Sequence, residues 1–145
     1  MSLFNVMSVS ASGLAAQRAR AQAIVENLAN SETTRTPDGG PYRRKDVIFA
    51  PEAQGSPFSS VFATELGATQ TGVGVAGVVE DLRDPIIRYQ PGHPDADEQG
   101  YVKYPNINPA EEMVDLMSAS RGYQANVAAL SAVKDMVSKS IDLLR

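Results

Sequence analysis

Residues 108–145, NPAEEMVDLMSASRGYQANVAALSAVKDMVSKSIDLLR, decide the fold. Apolar residues recur there at every seventh position: Leu116, Tyr123, Leu130, Val137, Leu144. A second row interleaves with the first: Met113, Ser120, Val127, Lys134, Ile141. Two such rows make one continuous stripe along a helix, the pattern of a coiled-coil seam. Asn108 suits the cap, Pro109 the first helical position, and Glu111 the place where a capping box wants an acid. Asp135 and Lys139 stand in the favoured i,i+4 order for an ion pair. A helix of about 36 residues spans roughly 54 Å, whereas a compact globule of this length is about 38 Å across. The helix is too long for its own domain and needs something long to lie against.

Residues 1–30 offer a partner. Met7, Leu14, Ala21 and Leu28 form one seven-spaced row, and Phe4, Ala11, Arg18 and Val25 its neighbour. The segment is rich in alanine, which favours helix and allows close approach. Arg18 interrupts the stripe, and Gly13 weakens the helix by about 1 kcal/mol relative to alanine. Asn30-Ser31, Thr33-Thr34, Pro37 and Gly39-Gly40 end it.

Between the helices the composition changes. Residues 31–105 hold every proline except Pro109 and most of the glycines. Arg43 to Ala50, Val73 to Leu82, Ile86 to Tyr89 and Gly100 to Tyr104 read as strands. Asp84-Pro85, Pro91-Gly92 and His93-Pro94 mark turns. Residues 51–72, rich in Gly, Ser, Thr and Ala, read as a mobile loop. The expected architecture is mainly α with a small β element. It divides into an N-terminal core helix (1–30), a loop and small-β middle segment (31–105) and a C-terminal core helix (106–145).

The formal net charge is −4, so nucleic acid is not the expected partner. The charge is uneven: residues 1–45 carry six bases against three acids, and residues 46–105 three bases against nine acids. That split suits head-to-tail contact between copies, with ordinary solvated surface as the plainer reading. There is no cysteine, which removes thiol nucleophiles, cysteine metal sites and disulfides. No run of 18 apolar residues is present. The N-terminus does not have the form of a secretory signal, its first charged side chain being Arg18.

Each catalytic motif is weaker than its plainer reading. Asp95-Ala-Asp97-Glu98-Gln-Gly100 starts like a calcium loop, but Lys103 and Asn106 stand at positions nine and twelve, where a bidentate Glu is needed at twelve. It reads as a solvated acidic turn. His93 is the single histidine and reads as a turn residue. Gly72-Val-Gly74-Val-Ala-Gly77 matches a dinucleotide fingerprint by letters alone, without the strand and helix that motif requires, and reads as a flexible entry to a strand. Tyr42-Arg43-Arg44-Lys45 is too short a basic patch for nucleic acid and suits a protein contact. No enzyme activity, metal, cofactor or small-molecule substrate is expected.

Ser12-Gly-Leu-Ala-Ala-Gln17 and Asn27-Leu-Ala-Asn-Ser-Glu-Thr-Thr34 at the front, with Glu112-Met-Val-Asp-Leu116 and Ser118-Ala-Ser-Arg-Gly-Tyr-Gln-Ala-Asn126 at the back, resemble the bacterial flagellar axial proteins. Asp38-Gly-Gly-Pro-Tyr-Arg43 with Lys45 narrows the resemblance, as do Tyr89-Gln-Pro-Gly-His-Pro-Asp-Ala-Asp97, Gly100-Tyr-Val-Lys103 and Pro105-Asn106. Together they are similar to the FlgC-type proximal rod proteins of the basal body. The resemblance implies a structural subunit of the periplasmic rod, exported by the flagellar type III machinery without a cleaved signal. It implies that the terminal helices form the coiled-coil core of a hollow drive shaft. That shaft transmits torque, passes exported subunits and carries the middle segment outside. Implied partners are other copies, other rod proteins, the base adaptor, and the MS ring and export-gate region. A soluble helical-hairpin adaptor or chaperone of the export apparatus is the alternative.

The expected assembly interface is Met7, Leu14, Ala21, Val25, Leu28, Met113, Leu116, Tyr123, Val127, Leu130, Val137, Ile141 and Leu144. Arg121, Gln124 and Asn126 flank the stripe as candidate register-fixing polar contacts. Asn27 and Asn30 are expected to satisfy the helix end or to meet a partner. Phe58-Ser-Ser-Val-Phe62 is a candidate export-recognition element, with an isolated pair of loop aromatics as the favoured reading.

Overall fold

A computed structural model describes residues 3–53 and 71–143 of the chain. Helix α1 spans Leu3–Ala29 and helix α2 spans Pro109–Asp142. Between them lie β1 (Lys45–Ala53), β2 (Thr71–Glu80), β3 (Ile86–Tyr89) and β4 (Tyr101–Tyr104). The fold is therefore mainly α with a small β element, and all four expected strands form. Among the described residues, no helix is long and apolar enough to cross a membrane.

α2 starts where its capping residues say it should. The Asn108 side chain accepts a hydrogen bond from the Ala110 N–H at 3.1 Å, and Pro109 follows at the first helical position. Glu111 takes a hydrogen bond from the Asn108 side-chain amide at 3.0 Å. The reciprocal side chain-to-backbone bond of a capping box is replaced by this side-chain pair. Asp135 and Lys139 are not among the ion pairs of the described residues. At the end of α1, Asn30 closes the last turn by donating from both backbone and side chain to the Glu26 carbonyl. The chain then reverses at Gly39 and Gly40, whose φ angles of 89° and 80° lie where a Cβ would be strained.

The two helices pack antiparallel. Asn27 meets Glu112, Gln17 lies against Gly122, and Gly13 lies against Asn126. Carried to Leu3, that register ends level with Met136, so roughly the last turn and a half of α2 runs past the described start of α1.

β1 and β2 form an antiparallel hairpin from Lys45↔Glu80 to Ala53↔Thr71, with a bulge between Ile48 and Phe49. Branched residues supply its propensity: Val47 and Ile48 on one strand, Val73, Val75, Val78 and Val79 on the other. The hairpin lies along α1, tied at one end by Asn27 to Lys45 and at the other by the Val73 N–H donating to Ser12 Oγ at 3.1 Å. Residues 51–53 and 71–72, expected as loop from composition, belong to these strands, and the Gly72–Gly77 motif is β2 itself. Composition misled because the hairpin's cross-strand bonds and its contact with α1 outweigh the low intrinsic strand preference of glycine. The remainder of the expected loop, with Phe58-Ser-Ser-Val-Phe62, lies outside the described residues.

β3 and β4 form a second hairpin, Ile86↔Tyr104 to Tyr89↔Tyr101. Its inner face buries Val102 and Tyr104. Asp97 Oδ1 accepts from the Gln99 and Tyr101 N–H groups and shapes the turn. His93 sits in the same turn, its Nδ1 accepting from the Asp95 N–H.

Candidate assembly interface

The seam between α1 and α2 is centred to one side of the stripe that hydropathy marks. On α2 the inward row is Glu112, Ala119, Asn126 and Val133. It too repeats every seven positions, but sits one residue, about 100° of helix rotation, before the row of Met113 and Val127. On α1 the buried residues are Ser10, Ala16, Ala23, Ile24 and Asn27. Glycines at the helix contact let the backbones approach closely. A Cβ added to Gly13 would stand 2.9 Å from Asn126 Nδ2, and one added to Gly122 would stand 3.1 Å from Gln17 Cδ. Gly13 thus trades helix propensity for room.

One end of the seam is locked by buried polar groups. Asn27 is fully buried and Glu112 is 2% exposed. The Asn27 side-chain amide donates to the Lys45 carbonyl at 2.8 Å and to Glu112 Oε2 at 3.2 Å. Its oxygen accepts from the Lys45 N–H at 2.8 Å and from the Tyr42 hydroxyl at 3.2 Å. Both donors and both lone pairs of the amide are used. Arg44 Nε donates to Glu112 Oε1 at 2.6 Å, and its other nitrogens reach Asp46 at 3.3 Å and Asp115 at 3.9 Å. Arg20 of α1 reaches Asp115 at 3.4 Å. Burial, then the Glu26, Glu80 and Glu112 carboxylates, push the Tyr42 hydroxyl up to about 12. A charge buried with a partner and further hydrogen bonds is tolerated, whereas one stripped of its partner is not. The knot therefore fixes how the helices and the start of β1 are joined.

The nominated positions lie mainly outside this seam. Met113, Tyr123, Val127 and Ile141 are 52%, 41%, 45% and 61% exposed, and Val25 is 51% exposed. Leu116, Leu130 and Val137 on α2 are half-buried beside the seam, as are Met7, Leu14, Ala21 and Leu28 on α1. Ala21, Leu116 and Tyr123 come together on one groove of about 540 Å³, bordered also by Gln17, Arg18 and Ser120. Past Arg18 and Ala21, a second hollow runs along Val25 and Ala29. Leu144 lies outside the described residues. Of the flanking polar residues, Asn126 is half-buried against Gly13 within the chain, while Arg121 and Gln124 are exposed.

Sequence reasoning missed the seam row and the knot. Hydropathy does not flag a row of Glu, Ala, Asn and Val. The available signal was the seven-residue spacing of Glu112, Ala119, Asn126 and Val133, with an acid in the helix's first turns and a basic run at residues 43–45 to answer it.

Comparison with known proteins identifies the family. Residues 98–143 match the family described as flagellar basal body rod FlgEFG protein C-terminal. Along its whole length the chain is similar to the flagellar basal-body rod protein FlgC of Borreliella burgdorferi. The two are 41% identical over 151 residues, covering 100% of this chain and 99% of that one. The FlgC protein of Bacillus subtilis is 41% identical over 150 residues, covering 99% of both chains. That of Escherichia coli O6:H1 is 43% identical over 143 residues, covering 99% of this chain and 98% of the other.

Proposed function

The chain belongs to the FlgC family of flagellar basal-body rod proteins, a structural subunit of the rod, and we propose that its copies assemble through the outer rows of both terminal helices. The contact positions are Met7, Leu14, Ala21, Val25 and Leu28 on α1 with Met113, Leu116, Tyr123, Val127, Leu130, Val137, Ile141 and Leu144 on the C-terminal helix. In this reading residues 1–30 and 106–145 form the coiled-coil core of a hollow shaft, and residues 31–105 pack outside it.

One observation carries the reading. Met113, Val127 and Ile141 hold alternate positions of a seven-residue row that also carries Ser120 and Lys134, and all three are exposed rather than buried in the chain's own helix seam. With the half-buried Leu116, Leu130 and Val137 beside them, they leave apolar surface on α2 that α1 does not cover among the described residues. Each side chain gains roughly 1.5–3 kcal/mol on full burial, so several per helix offset the roughly 4–15 kcal/mol lost in restricting a subunit. The full-length similarity to rod proteins favours this over an export adaptor or chaperone.

The remaining roles follow from the same reading. Packed helices resist shear and so transmit torque around a channel for exported subunits. The small, scattered core and the lack of cysteine suit a chain that the type III machinery exports unfolded, without a cleaved signal, to the periplasm. There its neighbours are other rod proteins, the base adaptor, and the MS ring and export-gate region.

Val127→Asp tests the interface. Val127 is exposed in the monomer, so the purified variant should keep its helical circular dichroism and melting temperature. In cells it should be exported yet leave rods unassembled, because a charge in an apolar seam is costly. Normal rods built from the variant would refute the assignment.

A further inference from the structure

The β3–β4 hairpin carries opposite charge at its two ends. At its base, a cleft of about 320 Å³ is lined by Arg43, Arg44, Arg83 and Lys103 against the single carboxylate of Asp81. Arg44 is answered by Glu112 and Asp46, and Arg83 by Asp81. Among the described residues, Arg43 and Lys103 form no ion pair, and both are exposed. In a chain of net charge −4, this is a local inversion of sign.

The turn at the other end presents Asp97 and Glu98, both exposed. Asp97 is held by the backbone N–H groups of Gln99 and Tyr101, and Glu98 forms no ion pair among the described residues. Lys103 also borders a hollow of about 330 Å³ that Asp97 shares, yet the two do not pair. The hairpin's outer face, Ile87, Tyr89, Tyr101 and Lys103, is exposed, with the two tyrosine rings edge to face at 5.4 Å. Tyrosine and arginine are the residue types that carry most energy at protein contacts.

We propose that the Arg43–Lys103 cleft receives the Asp97–Glu98 tip of the same hairpin on a neighbouring copy, flanked by the Tyr89–Tyr101 face. The proposal rests on the rod-subunit reading and adds to it a contact outside the helices. Base and tip are different surfaces of one subunit, so the contact is head-to-tail, the type that builds open helical assemblies. Charges at such a rim set orientation and speed of docking more than strength.

The lack of native cysteine makes the test clean. Arg43→Cys and Glu98→Cys are combined in the full chain, and basal bodies are isolated and mildly oxidised. The double variant should run as dimers and higher oligomers on non-reducing gels, and neither single variant should. Basal bodies that incorporate the double variant at wild-type level yet yield only monomer would overturn the contact and leave the rod reading intact. Basal bodies that lack the wild-type chain would overturn both. A charge exchange provides a second route should the cysteine variant not fold. Lys103→Glu and Glu98→Lys should each lower the number of basal bodies per cell by about threefold or more, and the combined exchange should restore it. Failure of the exchange to restore assembly would also overturn the contact.

Discussion

Asn27 and Lys45 pair as neighbouring strands do. The Asn27 side-chain amide donates to the Lys45 carbonyl and accepts from the Lys45 N–H, both at 2.8 Å. A side chain at the end of α1 thus stands in for a strand at the start of β1, while its remaining donor and lone pair hold Glu112 and Tyr42. One buried amide joins both helices and the hairpin.

Asn27→Ala breaks all four bonds and leaves the Lys45 backbone groups, Glu112 Oε2 and the buried Tyr42 hydroxyl without this partner. The expected loss is about 2–4 kcal/mol of unfolding free energy. Asn30→Ala, which removes a bond at an exposed helix end, should cost about 1 kcal/mol or less. Urea unfolding of the two variants side by side checks the contrast; equal losses would mean that the Asn27 network carries no special weight.

Arg44→Ala strands the Glu112 carboxylate inside the seam. That should cost about 3–5 kcal/mol. Replacing both residues with methionine removes the stranded charge and should recover most of the loss. The cycle of Arg44→Met, Glu112→Met and the double variant, measured by chemical denaturation, separates a buried pair from two independent surface charges, for which the losses would add.

Tyr42 sets an alkaline limit. Burial and nearby carboxylates raise its hydroxyl to about 12 from an ordinary value of 10.0. The folded state therefore holds this proton more tightly than the unfolded state. Its contribution is full below pH 10 and is lost as pH rises through about 12, a total of roughly 2–3 kcal/mol. Tyr42→Phe should be about 1 kcal/mol less stable at neutral pH and flatter across that window, as followed by thermal melts at stepped pH.

Gly13 and Asn126 should couple. Glycine to alanine inside a helix normally gains about 1 kcal/mol, but here the added Cβ would stand 2.9 Å from Asn126 Nδ2. Gly13→Ala should therefore show little or no gain in the wild-type background. In an Asn126→Ala background the full gain of about 1 kcal/mol should return. Thermal denaturation of the four proteins reads the coupling directly.

The terminal helices were legible because seven-residue periodicity, Asn108, Pro109 and the breakers after Asn30 are local signals. The four strands were legible for the same reason, from short branched runs between turn residues. The helix seam was not. Hydropathy marks the rows of Leu116 and Met113, of which Met113, Tyr123, Val127 and Ile141 stay exposed in the single chain. The contact made within the chain uses Glu112, Ala119 and Asn126, whose fitness for a seam comes from size and hydrogen bonding. Asn27 reads as a helix-end residue and Arg44 as part of a protein-contact patch, but that they meet each other's neighbours and Glu112 was not legible, because the partners lie 18, 68 and 85 positions away. The C-terminal helix, too long for a domain of its own, finds α1 along one face and keeps a second apolar face free.

That free face is most directly tested at Val127. With no native cysteine, Val127→Cys provides one labelling site, read with maleimide on the free subunit and on intact basal bodies. Rapid labelling of the free subunit and strong protection in the basal body are the expected pair of results. Equal, rapid labelling in both would show the row still facing water in the assembled rod, and the assignment of the assembly surface would be wrong.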